Sequence, residues 1–311
     1  MSSNLKTIAL VGASTRFGTR SNLGNFVLKA LTNSSDFDVT VISRKSSKST
    51  FDPSIKVITV SDSYSENEMV DAFRGKDAVV LTTSHGIGWK EVAIIDAAIE
   101  AGVKRFIPCG YGSNSQNEGA REIFPMLAPK ARLVEYLEST EYTGMTWTAI
   151  ATGLFLDLGL SSGFMGYDIA GRKATIWDSG NVQFSTTTCA TVATSVIKVL
   201  NHLNDTANKY LYISSFETSM NSILASLEKA TGGRKWDVTY VQTDDQIKEG
   251  EEAVSDGDFM KARNLVLAAS FKGGLGADFT TEKSLANDAL GLPVEDFDTV
   301  IAEIAKSAEP S

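Results

Sequence analysis

The first 150 residues alternate two patterns. Short apolar runs are followed by segments whose apolar positions recur every three or four residues. KTIALVGA, residues 6–13, is apolar almost throughout, as a strand covered on both faces must be. DVTVISR (38–44), IKVITV (55–60), DAVVLTTS (77–84), VKRFIPCG (103–110) and MTWTAIATG (145–153) repeat that pattern. Between them, LGNFVLKAL (23–31) puts Leu23, Phe26, Val27, Ala30 and Leu31 on one helical face. ENEMVDAFRG (66–75) and KEVAIIDAAIEAG (90–102) also read as helices, and each stops at a glycine. Strands alternating with helices of this length predict βαβ units and right-handed crossovers. The expected fold class is therefore α/β, with a doubly wound parallel sheet.

The pattern loosens after residue 152. GLFLDLGLSSGFMGYDIAG (153–171) follows neither period. TTTCATVATSVIKVLN (186–201) reads as a helix, NKYLYISS (208–215) as a strand and SMNSILASLEKATGG (219–233) as a helix. From Asp244 onward the pattern is mostly helix and loop. The expected division is a nucleotide-binding unit over 1–152, with a strand near 209–214 returning to it, and a smaller lobe built mainly from 153–311.

Bulk properties narrow the function classes. A chain of 311 residues is longer than the ~100–200 typical of one domain. A net charge of −9 repels phosphate backbones, which argues against a nucleic-acid partner. Two cysteines, Cys109 and Cys189, and two histidines, His85 and His202, suit neither a disulfide framework nor a metal site. No apolar run approaches the ~18–20 residues of a membrane span, and the N-terminus enters a strand without a signal-like segment. These features lead us to expect a cytoplasmic protein with a small-molecule partner and no membrane or metal. They leave the oligomeric state open.

VGASTRFGTRSNLG (11–24) has the context of a phosphate loop but unusual spacing. Gly12, Gly18 and Gly24 are each six positions apart, where the dinucleotide fingerprint has G-x-G-x-x-G. In one register Gly18 begins the helix and Thr15 takes the place of the second glycine. In the other, which we prefer, the loop is enlarged and Asn22, Leu23 and Gly24 start the helix beside the phosphate. Ser14, Thr15 and Arg16 on the loop join Gly12, Asn22, Leu23 and Gly24 as expected cofactor contacts. The second strand then ends in Arg44, Lys45 and Ser46, with no carboxylate at its tip. Basic residues there accommodate the 2′-phosphate of NADP, whereas an acid would bind the ribose of NAD. Thr82, Thr83 and Ser84 end the fourth strand, where such folds pass the adenosine and ribose.

The chemistry is less obvious. No tyrosine has a lysine four positions later, and there is no G-x-S-x-G elbow. In APKARLVEYLE (128–138), Lys130, Val134 and Leu137 share one face, so Lys130 lies on an apolar stripe. Such a lysine either serves as acid or base or snorkels to solvent, and spacing leaves both readings open.

The runs IALVGA, ISRKSS, AGVKRFIPCGYGSN, PKARLVEYLE, TWTAIATGLFLD, DSGNVQFSTTT and NKYLYISS resemble the isoflavone reductase-like, or NmrA-like, atypical short-chain dehydrogenases, above all the fungal ones. The resemblance spans about residues 5–245. It implies an NADP(H)-binding Rossmann domain with a small substrate lobe. It also implies reduction of conjugated C=C, C=O or quinone-methide-like bonds in an aromatic or polyketide-like molecule. Lys130 takes the place of the family's catalytic lysine. Where the family has Ser-Glu-Phe-Gly, this chain has Cys109-Gly110-Tyr111-Gly112. Tyr111 is thus expected to line the nicotinamide pocket and share proton chemistry. Phe155, Leu156, Phe164, Met165 and Tyr167 are expected to line the substrate pocket. Two rivals stay open: an NADP sensor that binds a protein partner, and a redox-neutral isomerase or cyclase.

Overall fold

The computed structural model describes residues 5–13, 22–83, 90–258 and 263–308. Its first half follows the alternation closely. Strand β1 (Thr7–Val11) leads to α1 (Leu23–Asn33), β2 (Asp38–Arg44), β3 (Lys56–Val60) and α2 (Glu66–Phe73). Then come β4 (Ala78–Leu81), α3 (Lys90–Glu100), β5 (Arg105–Ile107), α4 (Glu118–Ile123), α5 (Ala128–Ser139) and β6 (Thr146–Ala151). Helix α1 starts where Asn22 Oδ1 accepts the Asn25 N–H at 3.1 Å, satisfying one of the helix's free donors.

The second half opens with β7 (Leu154–Phe155), α6 (Leu156–Ser161), β8 (Tyr167–Asp168), β9 (Lys173–Trp177) and β10 (Phe184–Thr187). Helices α7 (Cys189–Asn201) and α8 (Leu203–Thr206) lead to β11 (Lys209–Tyr212), β12 (Phe216–Thr218), α9 (Met220–Ala230), β13 (Asp237–Val241) and α10 (Thr243–Ser255). Helices α11 (Arg263–Phe271), α12 (Phe279–Glu282), α13 (Asn287–Leu290) and α14 (Phe297–Ala308) complete the described chain.

Seven strands form one sheet in the order β11-β6-β5-β4-β1-β2-β3, and every pair in it is parallel. This is the doubly wound Rossmann order, with the reversal between β1 and β4. Both faces are covered. Ile8 and Leu10 of β1 point into one core with Val27, Leu31 and Val196, while Ala9 and Val11 point into another with Met69, Ile95 and Val134. That alternation is the period of two expected of a strand buried on both sides. Strand β11 joins the far edge beside β6 and completes the seven-stranded sheet.

The apolar stretch after residue 152 builds a third core. Leu156, Met165, Tyr167, Trp177, Phe184, Met220 and Phe271 pack together there. Two three-stranded sheets, β12-β10-β7 and β13-β9-β8, frame it. The helix read over 186–201 begins later than its pattern suggested. Thr186 and Thr187 end β10, and Thr188 caps α7 by accepting the Thr191 N–H at 3.1 Å. Among the described residues no helix is long and apolar enough to cross a membrane.

One buried charge locks the sheet edge. Arg105 is 1% exposed and has no carboxylate partner among the described residues. Its guanidinium donates to the hydroxyls of Thr146, Thr148 and Thr206 and to the Leu203 carbonyl, at 2.6–2.9 Å. It thereby ties β5 to β6 and to the turn that launches β11. Arg105→Met is expected to lower stability by on the order of 2–3 kcal/mol in urea unfolding, because it strands these acceptors in the interior. An unchanged midpoint would refute this clamp.

Candidate active site

The carboxyl ends of β1, β4 and β5 converge at the point where the strand order reverses. Gly12 leaves β1 with φ +95°, which side chains rarely tolerate. A Cβ on it would stand 2.7 Å from the Thr83 nitrogen. Gly24, the second residue of α1, is just as confined. Its Cβ would stand 2.5 Å from the Gly12 carbonyl oxygen and 2.9 Å from Thr82 Oγ1. Helix α1 therefore sits directly on the turn after β1, and glycine at 24 permits that contact. This changes the reason for the glycine: its missing side chain makes room for protein main chain. Asn22 is spent on the helix cap, and the Leu23 side chain is buried in the core. Ser14, Thr15, Arg16 and Ser84 lie outside the described residues, as do Gly18, Arg20 and His85.

At the tip of β2 the three expected contacts differ. Arg44 is exposed and forms no ion pair among the described residues. Lys45 Nζ stands 3.4 Å from Glu68 Oε1. The Ser46 hydroxyl donates to Asp62 Oδ1 at 2.5 Å. Asp62 follows β3, which pairs with β2, so a carboxylate does reach this tip from the neighbouring strand. The Ser46 bond, with help from Arg44 and Lys45, holds Asp62 below the usual carboxylate range. A phosphate here would take Ser46 from Asp62 and lean on Arg44.

Thr82 and Thr83 follow β4. The Thr82 hydroxyl bonds to the Val11 carbonyl at 3.2 Å, stitching β4 to β1. Among the described residues Thr83 Oγ1 is buried without a hydrogen-bond partner, and so is the Tyr111 hydroxyl. Buried polar atoms are seldom left unpaired in proteins, so each of these hydroxyls calls for a polar neighbour. The Thr83 carbonyl accepts the Cys109 thiol at 2.8 Å, and burial pushes that thiol up to about 11.

Lys130 lies in the first turn of α5, where Pro129 suits the opening position. It is half-buried and reaches back across the cleft, donating from Nζ to the Tyr111 carbonyl at 2.8 Å. The turn that offers this carbonyl is itself fixed: Gly112 N–H donates to Thr152 Oγ1 at 2.9 Å. Tyr111 thus meets Lys130 through its main chain. Its phenol is 5% exposed, and burial holds it well above the usual tyrosine range, so it stays protonated. Glu91, on the first turn of α3, faces the same cluster, and burial pushes its carboxyl up to about 7. Sequence reading passed over it, although Ile95 and Ala98 stand four and seven residues on, the spacing that put Lys130 on its stripe.

The expected substrate-pocket residues separate. Leu156, Met165 and Tyr167 are at most 1% exposed inside the second lobe's core, and the Tyr167 hydroxyl donates to the Met220 carbonyl. Phe155 and Phe164 are half-buried at the margins of the cores.

Gly12, the start of α1, Arg44, the buried Thr83 hydroxyl and Lys130 together suit a dinucleotide laid across the strand ends. Comparison with known proteins agrees with this architecture. A family model described as the NmrA-like family matches residues 4–297. Oxidoreductase aprR of Aspergillus flavus is 38% identical over 290 residues, which is 93% of this chain and 97% of the relative. Oxidoreductase poxI of Penicillium oxalicum is 30% identical over 288 residues, 91% of this chain and 90% of the relative. Among solved structures, the leucoanthocyanidin reductase–NADPH complex from Vitis vinifera has a TM-score of 0.74 at 18% identity, covering 97% of this chain and 99% of that one. With the family model spanning nearly the whole sequence, the chain belongs to the NmrA-like family.

Proposed function

We propose that this protein is an NADPH-dependent reductase of a small aromatic or polyketide-like molecule, acting in the cytoplasm on a conjugated C=C, C=O or quinone-methide-like bond. It is an oxidoreductase that uses NADP(H), as its relatives' names and the solved NADPH complex suggest. The observation that carries the reading is Lys130, a half-buried amine held at 2.8 Å by the Tyr111 carbonyl at the switch point of the sheet. A pure sensor has no need of a proton donor placed there.

The chemistry a bound nicotinamide supplies is hydride transfer. The chain's residues do the rest. Gly12 and the start of α1 receive the pyrophosphate, and Arg44 receives the 2′-phosphate. The Tyr111 carbonyl fixes Lys130 Nζ, which holds a proton at the reacting edge. The buried Tyr111 ring keeps water from one wall of that edge. The test is NADPH absorbance during incubation with a panel of quinone methides, enones and aryl ketones. Product formed without NADPH loss would favour a redox-neutral reaction instead.

Arg44 gives the cofactor choice. Charge-assisted bonds are worth about 1.5–3 kcal/mol, so Arg44→Ala is expected to weaken NADPH binding roughly tenfold or more and NADH binding little. Fluorescence titration of both dinucleotides measures this. Equal affinity for both in the unmodified protein would defeat the assignment.

A further inference from the structure

Glu91 has no place in the mechanism so far. It stands three and four residues before Ile94 and Ile95 on α3, both fully buried. Lys130 stands three and four residues before Leu133 and Val134 on α5, also buried. These four apolar residues belong to one core cluster. The two helices pack together, and the Tyr136 hydroxyl bridges them by donating to Asp96 Oδ1. Each charged residue therefore extends the same buried stripe by one turn, towards the ends of β4 and β5. There Lys130 draws the Glu91 carboxyl down without a direct ion pair among the described residues, and both charges act on Cys109.

We propose that Glu91 is the positioning residue for Lys130: its carboxylate confines the ammonium group at the reacting edge and makes turnover depend on Glu91 being ionised. The role rests on the reductase reading above. Opposite charges attract more strongly where water is scarce, so an ionised Glu91 keeps Nζ in the cleft beside the Tyr111 carbonyl. A protonated Glu91 leaves that single hydrogen bond to do so. Burial pushes Glu91 up and Lys130 draws it down, with a balance at about 7. Among the described groups around α3 whose values are shifted, the others lie away from 7, and His85 is outside the described residues. Cys109 is pushed up to about 11, and Tyr136 up to about 12 by its bond to Asp96. On α2, Glu68 is held low by Ser61 and Lys45.

Three measurements test this with Glu91→Gln, Glu91→Asp and Lys130→Met. In carboxyl-carbon NMR without cofactor, the resonance that Glu91→Gln removes should titrate at about 7 and move higher in Lys130→Met. A midpoint near the ordinary glutamate value of 4.5, or one indifferent to Lys130, overturns the pairing. In turnover, kcat should rise with pH through about 7 in the unmodified protein and in Glu91→Asp, with no such rise in Glu91→Gln. At about pH 8 the Gln variant should be roughly tenfold slower with KM little changed, the effect of removing one opposing charge. A rise that survives in Glu91→Gln overturns the proposal alone. NADPH left unconsumed by any substrate defeats the reductase reading, and Glu91's role with it. Stability gives a third, independent readout. Glu91's folded value of about 7 lies above its ordinary 4.5, so its contribution is full below 4.5 and lost as pH rises towards 7. Glu91→Gln should therefore raise Tm above neutral pH and converge with the unmodified protein in acid. A Tm lowered at all pH values would make Glu91 a structural residue and overturn the proposal.

Discussion

Lys130→Met is expected to slow turnover at least ~100-fold while NADPH affinity changes less than roughly tenfold. Methionine keeps most of the apolar stem, so the stripe shared with Leu133, Val134 and Leu137 stays filled. What is lost is the amine that spans from α5 to the Tyr111 carbonyl at 2.8 Å. That carbonyl then faces the cleft without its donor, but the turn stays fixed by Gly112 and Thr152. General acid–base assistance contributes ~10²–10⁴-fold, so the loss should fall on the chemical step. Single-turnover NADPH oxidation at saturating substrate, beside a cofactor isotherm, separates the two effects. Unchanged turnover would remove Lys130 from the mechanism. The buried Tyr111 phenol would be a poor replacement, because its proton is held tightly where it is.

Much of this site was legible because it depends on local periodicity. The unbroken apolar runs marked strands buried on both faces, and the stripe ending at Lys130 put it on an apolar face, although spacing alone left snorkelling to solvent open. Other parts depend on pairing between distant segments. Asp62 reaches the Ser46 hydroxyl because β3 pairs with β2, and nothing in SRKSS announces a carboxylate arriving from the next strand. The small strands β9 and β13 pair residues 64 positions apart, and each alone is a short mixed run. Met165 and Tyr167 show a different limit. Pocket and core are built from the same apolar residues, so composition did not distinguish a ligand wall from the packing beneath it. Glu91 was hidden because an acid in a first helical turn is usually there for the helix dipole.

The longest-range consequence of one small residue is at Gly24. Gly24→Val is expected to weaken NADPH binding more than ~100-fold and to lower Tm by at least about 2–4 °C, since overpacking costs ~1–3 kcal/mol. Its Cβ would meet the Gly12 carbonyl oxygen at 2.5 Å and Thr82 Oγ1 at 2.9 Å. Neither neighbour can step aside cheaply. Gly12 is itself wedged against Thr83, and Thr82 is bonded to Val11. The helix must therefore lift from the strand, carrying the Asn22 cap and its free N–H groups away from the turn where a phosphate would be received. Most helices lie elsewhere, so far-ultraviolet circular dichroism should stay near that of the unmodified protein. Gly24→Ala adds only the Cβ and should give a smaller effect in the same direction. A fluorescence titration and a melting curve on each variant test the idea. Native affinity in Gly24→Val would show that α1 does not seat the cofactor and would return the pyrophosphate to the shorter register ending at Gly18.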